Sequence, residues 1–368
     1  TVDLEEVEKV LEEIEEVDDV MDDIEPPEVA LDEAPPDPSE MDQADADVDF
    51  DNLDVMQEFS GPLVLKGLFA GRDASGRARM LKEFSSGLGK YTEPAVIRAL
   101  DWLKKHQRED GSWAAGQHDN RKRPHLNVAT TALGLLAFLA HGETTTSVLY
   151  GRTVERAIRY LLTQQESDRN PPGAFCVLNQ QGVYAHAMAA YAVSEAYALT
   201  RIPKLKDAMD RAIQHIVDGQ QARGGWNYHY QKGDRRDTSV ASWQIQALKA
   251  AYMAGSEVPG AKEAMQRAAK DLKHVYNENN GRFQYSMSPT DPRPTQGGQP
   301  NATTMAVLCL QLIGHGKSNE ALGGIASHEN TTCQWEDNNN RFAMYVWYYL
   351  TQAKFHNGGS TWKNWNRQ

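Results

Sequence analysis

The sequence predicts an all-α protein assembled from one recurring helical hairpin. Three observations predict it. The stretch from Arg211 to Ala250 reads as two helices joined by a polar loop: an amphipathic first helix with Ile213 and Ile216 on one face, a stop at Gly224-Gly225, and a second helix opening at Asp237-Thr238-Ser239. That second helix is apolar on most sides through Val240, Trp243, Ile245 and Leu248, as a buried helix is. The unit then recurs along the chain, and the aromatic that closes each first helix falls at Trp113, Phe175, Trp226 and Phe283, 51 to 62 residues apart. A long, nearly fixed period of helix pairs means stacked or ring-closed hairpins.

The elements follow in order. Residues 3–24 place Leu4, Val7, Leu11, Ile14, Val17, Met21 and Ile24 close to a 3.5-residue spacing, so residues 1–24 are expected to form an acidic amphipathic helix. Residues 25–58, with their Pro and Asp runs, are expected to be a disordered acidic linker. Residues 59–92 are a Gly- and Arg-rich transition segment. The repeat domain is expected over 93–357, with a short tail at 358–368. Its first helices fall within 95–113, 153–175, 211–226, 264–283 and 319–328, and its second helices within 127–142, 183–200, 237–250, 301–314 and 341–355.

The formal charge of −13 hides a partition. Residues 1–54 hold 24 acids and a single base, Lys9, whereas the remainder holds 27 acids and 37 bases. An acidic arm therefore precedes a basic body. The three cysteines, Cys176, Cys309 and Cys333, form no CxxC pair and no ligand spacing, so no metal and no cofactor is expected. No apolar run approaches the roughly 20 residues of a spanning helix. The chain begins at Thr1, which leaves room for an upstream segment. Membrane anchoring or an extracytoplasmic setting is expected only through such a segment. Nothing beyond charge suggests a nucleic-acid partner.

The first hairpin carries Arg98-Ala99-Leu100-Asp101-Trp102-Leu103-Lys104-Lys105-His106-Gln107 and then Gly111-Ser112-Trp113; the second aligns through Arg156, Gln165, Gly173 and Phe175, and the third through Arg211, Gln220, Gly225 and Trp226. In the fourth, Tyr276 stands where the glutamine belongs. This pattern resembles the QW motif of the terpenoid cyclase and protein prenyltransferase family, and the DTSVxxWQxxALK and TWKNWN stretches resemble its bacterial prenyltransferase/squalene oxidase repeat proteins. The resemblance implies an α/α toroid of five to six hairpins, with first helices outside and second helices inside. It gives Gln107, Gln165, Gln220, Trp113 and Trp226 structural roles at outer-helix ends.

In such a ring the inner-helix N-termini meet at one mouth. The residues expected there are Asn127, Tyr184, His186, Asp237, Trp243, Thr304 and Tyr345, fed by loops carrying Arg121, Lys122, Arg123, His125, Lys232, Arg235 and Arg236. These loops predict a basic rim that takes an anionic or isoprenoid small ligand, or an acidic segment such as the chain's own arm. The family's acid motif is replaced by Asp234-Arg235-Arg236-Asp237, and its zinc ligands have no counterpart, so catalysis stays open. The favoured expectation is a ligand-binding or scaffold module. The alternatives are an isoprenoid cyclase or transferase and a polysaccharide-acting α/α enzyme. Asp237, Glu195 and His186 are the catalytic candidates, with Glu195 and Asp237 the acid/base pair for a polysaccharide.

Overall fold

The computed structural model describes residues 89–114, 124–233, 235–287, 300–333 and 343–368. The expectations for residues 1–88 lie outside the described residues. The repeats form helical hairpins in chain order: α1 (Gly89–His106) with α2 (Pro124–Ala140), α3 (Gly151–Gln165) with α4 (Gly182–Thr200), and α5 (Pro203–Gly219) with α6 (Thr238–Ala254). They continue with α7 (Ala261–His274) and α8 (Pro300–Leu312), then α9 (Asn319–Ala326) and α10 (Ala343–Asn357). Most of the residues expected to be a tail form a further helix, α11 (Gly359–Asn366), whose Trp365 is buried on α10. The only strands among the described residues are two-residue pieces. β1 (Arg236–Asp237) pairs antiparallel with β4 (Ser286–Met287), and β2 (Tyr276–Asn277) with β3 (Arg282–Phe283).

The second helices form an inner layer in which α2, α4, α6, α8 and α10 pack in succession; α2, α4, α6 and α8 are backed by their first helices, and α9 packs on α8. Composition explains the sorting. Outer α3, α5 and α7 are amphipathic and bury one stripe, whereas α6 buries nearly every residue from Thr238 to Ala251, including polar Gln244 and Gln246. A helix apolar on most sides is stable only with neighbours on most sides.

One joint repeats between successive outer helices. The amide of Gln107 donates to Gly111 O and to Thr153 O of the next outer helix, at 3.0 and 2.9 Å. Gln165 donates to Gly173 O and Ala208 O at 2.9 and 2.8 Å, and Gln220 to Gly224 O and Ala264 O, both at 2.7 Å. An arginine of the next helix answers: Arg211 donates to Gln165 Oε1 and Arg267 to Gln220 Oε1, both at 2.9 Å. The glycine is required there. Gly224 has φ 108°, and a Cβ at that position would collide with the backbone carbonyl of Arg267. The fourth joint is built otherwise: β2 and β3 pair Tyr276 with Phe283, and the Tyr276 hydroxyl lies over Gly323 of α9.

The closing aromatics lie under these joints. Trp226 is fully buried and Trp113 nearly so, and their indole N–H groups donate to Ile216 O and Leu103 O at 2.8 and 2.9 Å. Cys176 and Cys309 are buried free thiols, Cys309 in the core of α8, and Cys333 is an exposed one. No helix among the described residues is long and apolar enough to cross a membrane.

Candidate functional site

The inner helices run side by side in the same direction, so their N-termini share one end of the layer. The Tyr184 hydroxyl meets Ser239 Oγ at 2.6 Å, and Gln244 donates to Val183 O at 3.1 Å. At the same end β1 and β4 join the loops that precede α6 and α8.

Asp237 is the centre of this end. It is fully buried, and its Oδ1 accepts the backbone N–H groups of Ser239 and Val240 at 3.0 and 3.2 Å and the Ser239 hydroxyl at 2.6 Å. Its Oδ2 accepts from the Tyr228 hydroxyl at 3.1 Å, with Arg235 at 3.7 Å. A carboxylate holding a helix N-terminus this way is an N-cap. Tyr184, Tyr228 and Tyr285 close around it. Burial, with the Asp237 charge second, pushes the Tyr184 phenol well above its usual range.

The other expected mouth residues are dispersed. His125 reaches Gln181 at 2.8 Å, tying the first hairpin to the second. Asn127 lies in the first turn of α2 with a buried Oδ1 that lacks a hydrogen-bond partner among the described residues. Thr304 is turned onto its own helix at Asn301 O, 3.1 Å. Trp243 donates to the Tyr345 hydroxyl at 3.3 Å, and both rings pack on Tyr349. Arg121 and Arg123 lie outside the described residues.

The basic rim is corrected. Arg236 is buried, and its guanidinium pairs with Asp271 of α7 at 2.7 Å. The Lys232 ammonium is bound to the carbonyls at the end of α5, Asp218 O and Gln220 O. A short strand and a helix end need these charges, so they do not gather toward an anionic, isoprenoid or acidic-segment ligand.

His186 is likewise turned inward. It is fully buried, its Nδ1 accepts from Phe175 N–H at 3.3 Å, and its Nε2 faces Ala212 O at 3.1 Å. Burial, with the neighbouring His215 second, lowers its pKa to about 3. The unfolded chain takes up this proton near pH 6.5, while the fold resists it down to about pH 3. Stability is therefore expected to fall as pH drops from about 6.5 towards 3, and His186→Gln should flatten that slope in melting temperatures measured across the window.

Glu195 belongs to a different place. It lies on α4 eleven residues beyond Tyr184, about 16 Å further along the helix axis than the Asp237 end. Paired glycosidase carboxyls stand only about 5–9.5 Å apart. Glu195 and Asp237 thus do not form one acid/base pair. Glu195 instead lines a groove of about 500 Å³ between α2, α4 and α10. Leu136 and Ala140 form one wall, Tyr191 stands one turn before Glu195, and Met344, Trp347, Tyr348 and Thr351 form the facing wall. Tyr348 and Met344 are exposed there, and the Trp347 indole N–H donates to Thr332 O at 3.2 Å. Sequence reasoning named Glu195 without these aromatics. Periodicity could not single them out, because the AMYVWYYL run of α10 is apolar on every side.

No protein-family profile matches the sequence, and no curated protein matches it. Solved structures do match in fold. The α-1,6-mannanase GH76A of Salegentibacter sp. HEL1_6 superposes with a TM-score of 0.52 at 12% identity, over 71% of this chain and 80% of that one. An inactive variant of it, with two neighbouring aspartates replaced and α-1,6-mannotriose bound, gives the same values. A second inactive variant, bound to α-1,6-mannotetrose, gives a TM-score of 0.51 at 12% identity over 72% and 80%. These neighbours are glycoside hydrolases and not cyclases or prenyltransferases, which overturns the family resemblance and, with it, the isoprenoid or anionic ligand expected at the basic rim. At that identity the likeness is one of architecture: the chain is an all-α, α/α-toroid protein.

Proposed function

We propose that the chain acts on a polysaccharide, holding an oligosaccharide in the groove around Glu195. This replaces the scaffold with a basic-rimmed cavity. The observation that supports it is the groove itself: a trough walled by Trp347, Tyr348, Tyr191 and Met344, with the fully buried Glu195 side chain beneath its floor. Aromatic faces suit the C–H faces of sugar rings. Glu195 is also the group able to serve as acid or base at a glycosidic bond. Binding comes first in this reading, because Glu195 is the one carboxyl that the described residues bring to the groove.

Since the fold neighbours were solved with α-1,6-linked mannooligosaccharides, α-1,6-mannotetrose is the first probe. It is expected to bind in calorimetry, and Trp347→Ala should weaken binding by about tenfold or more. Glu195→Gln should keep binding within a few-fold and abolish any release of reducing sugar. Absence of binding, or binding indifferent to Trp347→Ala, takes the groove out of the reading.

A further inference from the structure

A second cavity, of about 580 Å³, opens at the opposite end, beside the loop between α5 and α6. Asn227, Tyr228, His229, Gln231, Lys232 and Arg235 line it, with Gln180 from the preceding hairpin. We propose that this cavity is a second saccharide-binding site, taking one neutral, hydroxyl-rich ring at a distance from the Glu195 groove.

The first observation is Asn227. It is only 8% exposed, it lines the cavity, and its Oδ1 has no hydrogen-bond partner among the described residues. A buried acceptor left unmet is destabilising. A hydroxyl donor entering the cavity would satisfy it.

The second is the backbone that follows. His229 and Tyr230 both adopt left-handed φ, 61° and 49°. Non-glycine residues rarely do so, and such strain concentrates at ligand sites. The kink half-buries the Tyr230 ring, whose hydroxyl donates to Gln244 at 2.8 Å, and leaves His229 exposed on the cavity wall. The third is the charge balance. The Lys232 ammonium is taken up by two backbone carbonyls, and Arg235 lies 5.5 Å over the Tyr228 ring and 3.7 Å from the Asp237 carboxylate. The cations are thus answered from within the protein, so the cavity suits a neutral polyol over an anion. The amides of Gln180 and Gln231 both donate and accept, as the alternating hydroxyls of a sugar require.

The cavity's geometry asks for a neutral polyol. Its assignment to a sugar shares the glycan reading of the Glu195 groove. Calorimetry and ligand-observed NMR of the full chain with α-1,6-mannotetrose, with inositol as a non-sugar polyol, separate the two. The expected result is two sites. Trp347→Ala should remove one, and Asn227→Ala combined with Arg235→Ala should remove the other, with at least a tenfold loss at that site. Asn227→Ala removes an unpaired buried group, so its melting temperature should be unchanged or higher; a large drop would make Asn227 a structural residue and overturn the proposal. A lone site sensitive to Trp347→Ala overturns the second site and leaves the groove. A lone site sensitive to the Asn227 and Arg235 changes keeps the cavity and removes the groove. Inositol binding without mannotetrose binding, or no binding at all, overturns the saccharide assignment.

Discussion

Trp226→Ala is expected to lower the unfolding free energy by about 3–5 kcal/mol, the range for deleting a large buried aromatic. Trp226 is fully buried at the meeting point of three constraints. Its indole N–H donates to Ile216 O at 2.8 Å, which satisfies a carbonyl near the end of α5. Its own carbonyl accepts from Asp237 N–H at 2.9 Å and thereby fixes β1 and the start of α6. It directly follows Gly224 and Gly225, which bring the chain against α7. Truncation would leave a cavity and an unmet carbonyl together. Urea denaturation followed by circular dichroism measures the loss, and a midpoint unchanged from wild type would show that the ring is not a keystone of the third hairpin.

Asp271→Ala carries the other large effect. Arg236 and Asp271 are each about 95% buried, joined at 2.7 and 2.9 Å, and they connect β1 to the outer helix of the next hairpin. Removing one partner of a buried pair leaves a charge in the interior and typically costs about 3–5 kcal/mol. The same principle expects Arg236→Met with Asp271→Leu to recover most of that loss, because two apolar side chains need no partner. Denaturation of the single and double variants tests both statements. A double variant as unstable as the single one would show that the pair holds the strand by geometry rather than by charge compensation.

The hairpins were legible because the inner and outer helices differ in how much of their surface must be buried, and that difference is written as periodicity. The lineage was not. The glutamine, glycine, arginine and tryptophan that carried the cyclase resemblance make the joint between successive outer helices, so they report a way of joining hairpins. The rim was misread for a local reason. Arg236 lies in a strand of two residues, too short for alternation to show which way a side chain points, and its partner Asp271 is 35 residues away. Asp237 was legible as a cap, since Asp before Thr-Ser is a cap signal, but its distance from Glu195 depends on how two helices align. Asn227 had no signal at all, because an unsatisfied amide is a property of its neighbours.

The glutamine joints point one way only. Each of the first three hairpins clasps its successor, so the ring has a direction and its strength is a chain of nearest-neighbour terms. At the passage from the fourth to the fifth hairpin the clasp gives way to a strand pair and a tyrosine resting on Gly323. That passage is the seam. Among the described residues, unzipping from the C-terminal side meets the inner-helix bond from Gln311 to Ala353 O at 3.0 Å but no glutamine clasp between outer helices until α7 is reached, whereas from the side of α1 it must break one at the first step. The molecule is thus polar in its unfolding, with glutamine clasps between outer helices on the side of α1 and a strand pair in their place on the side of α9.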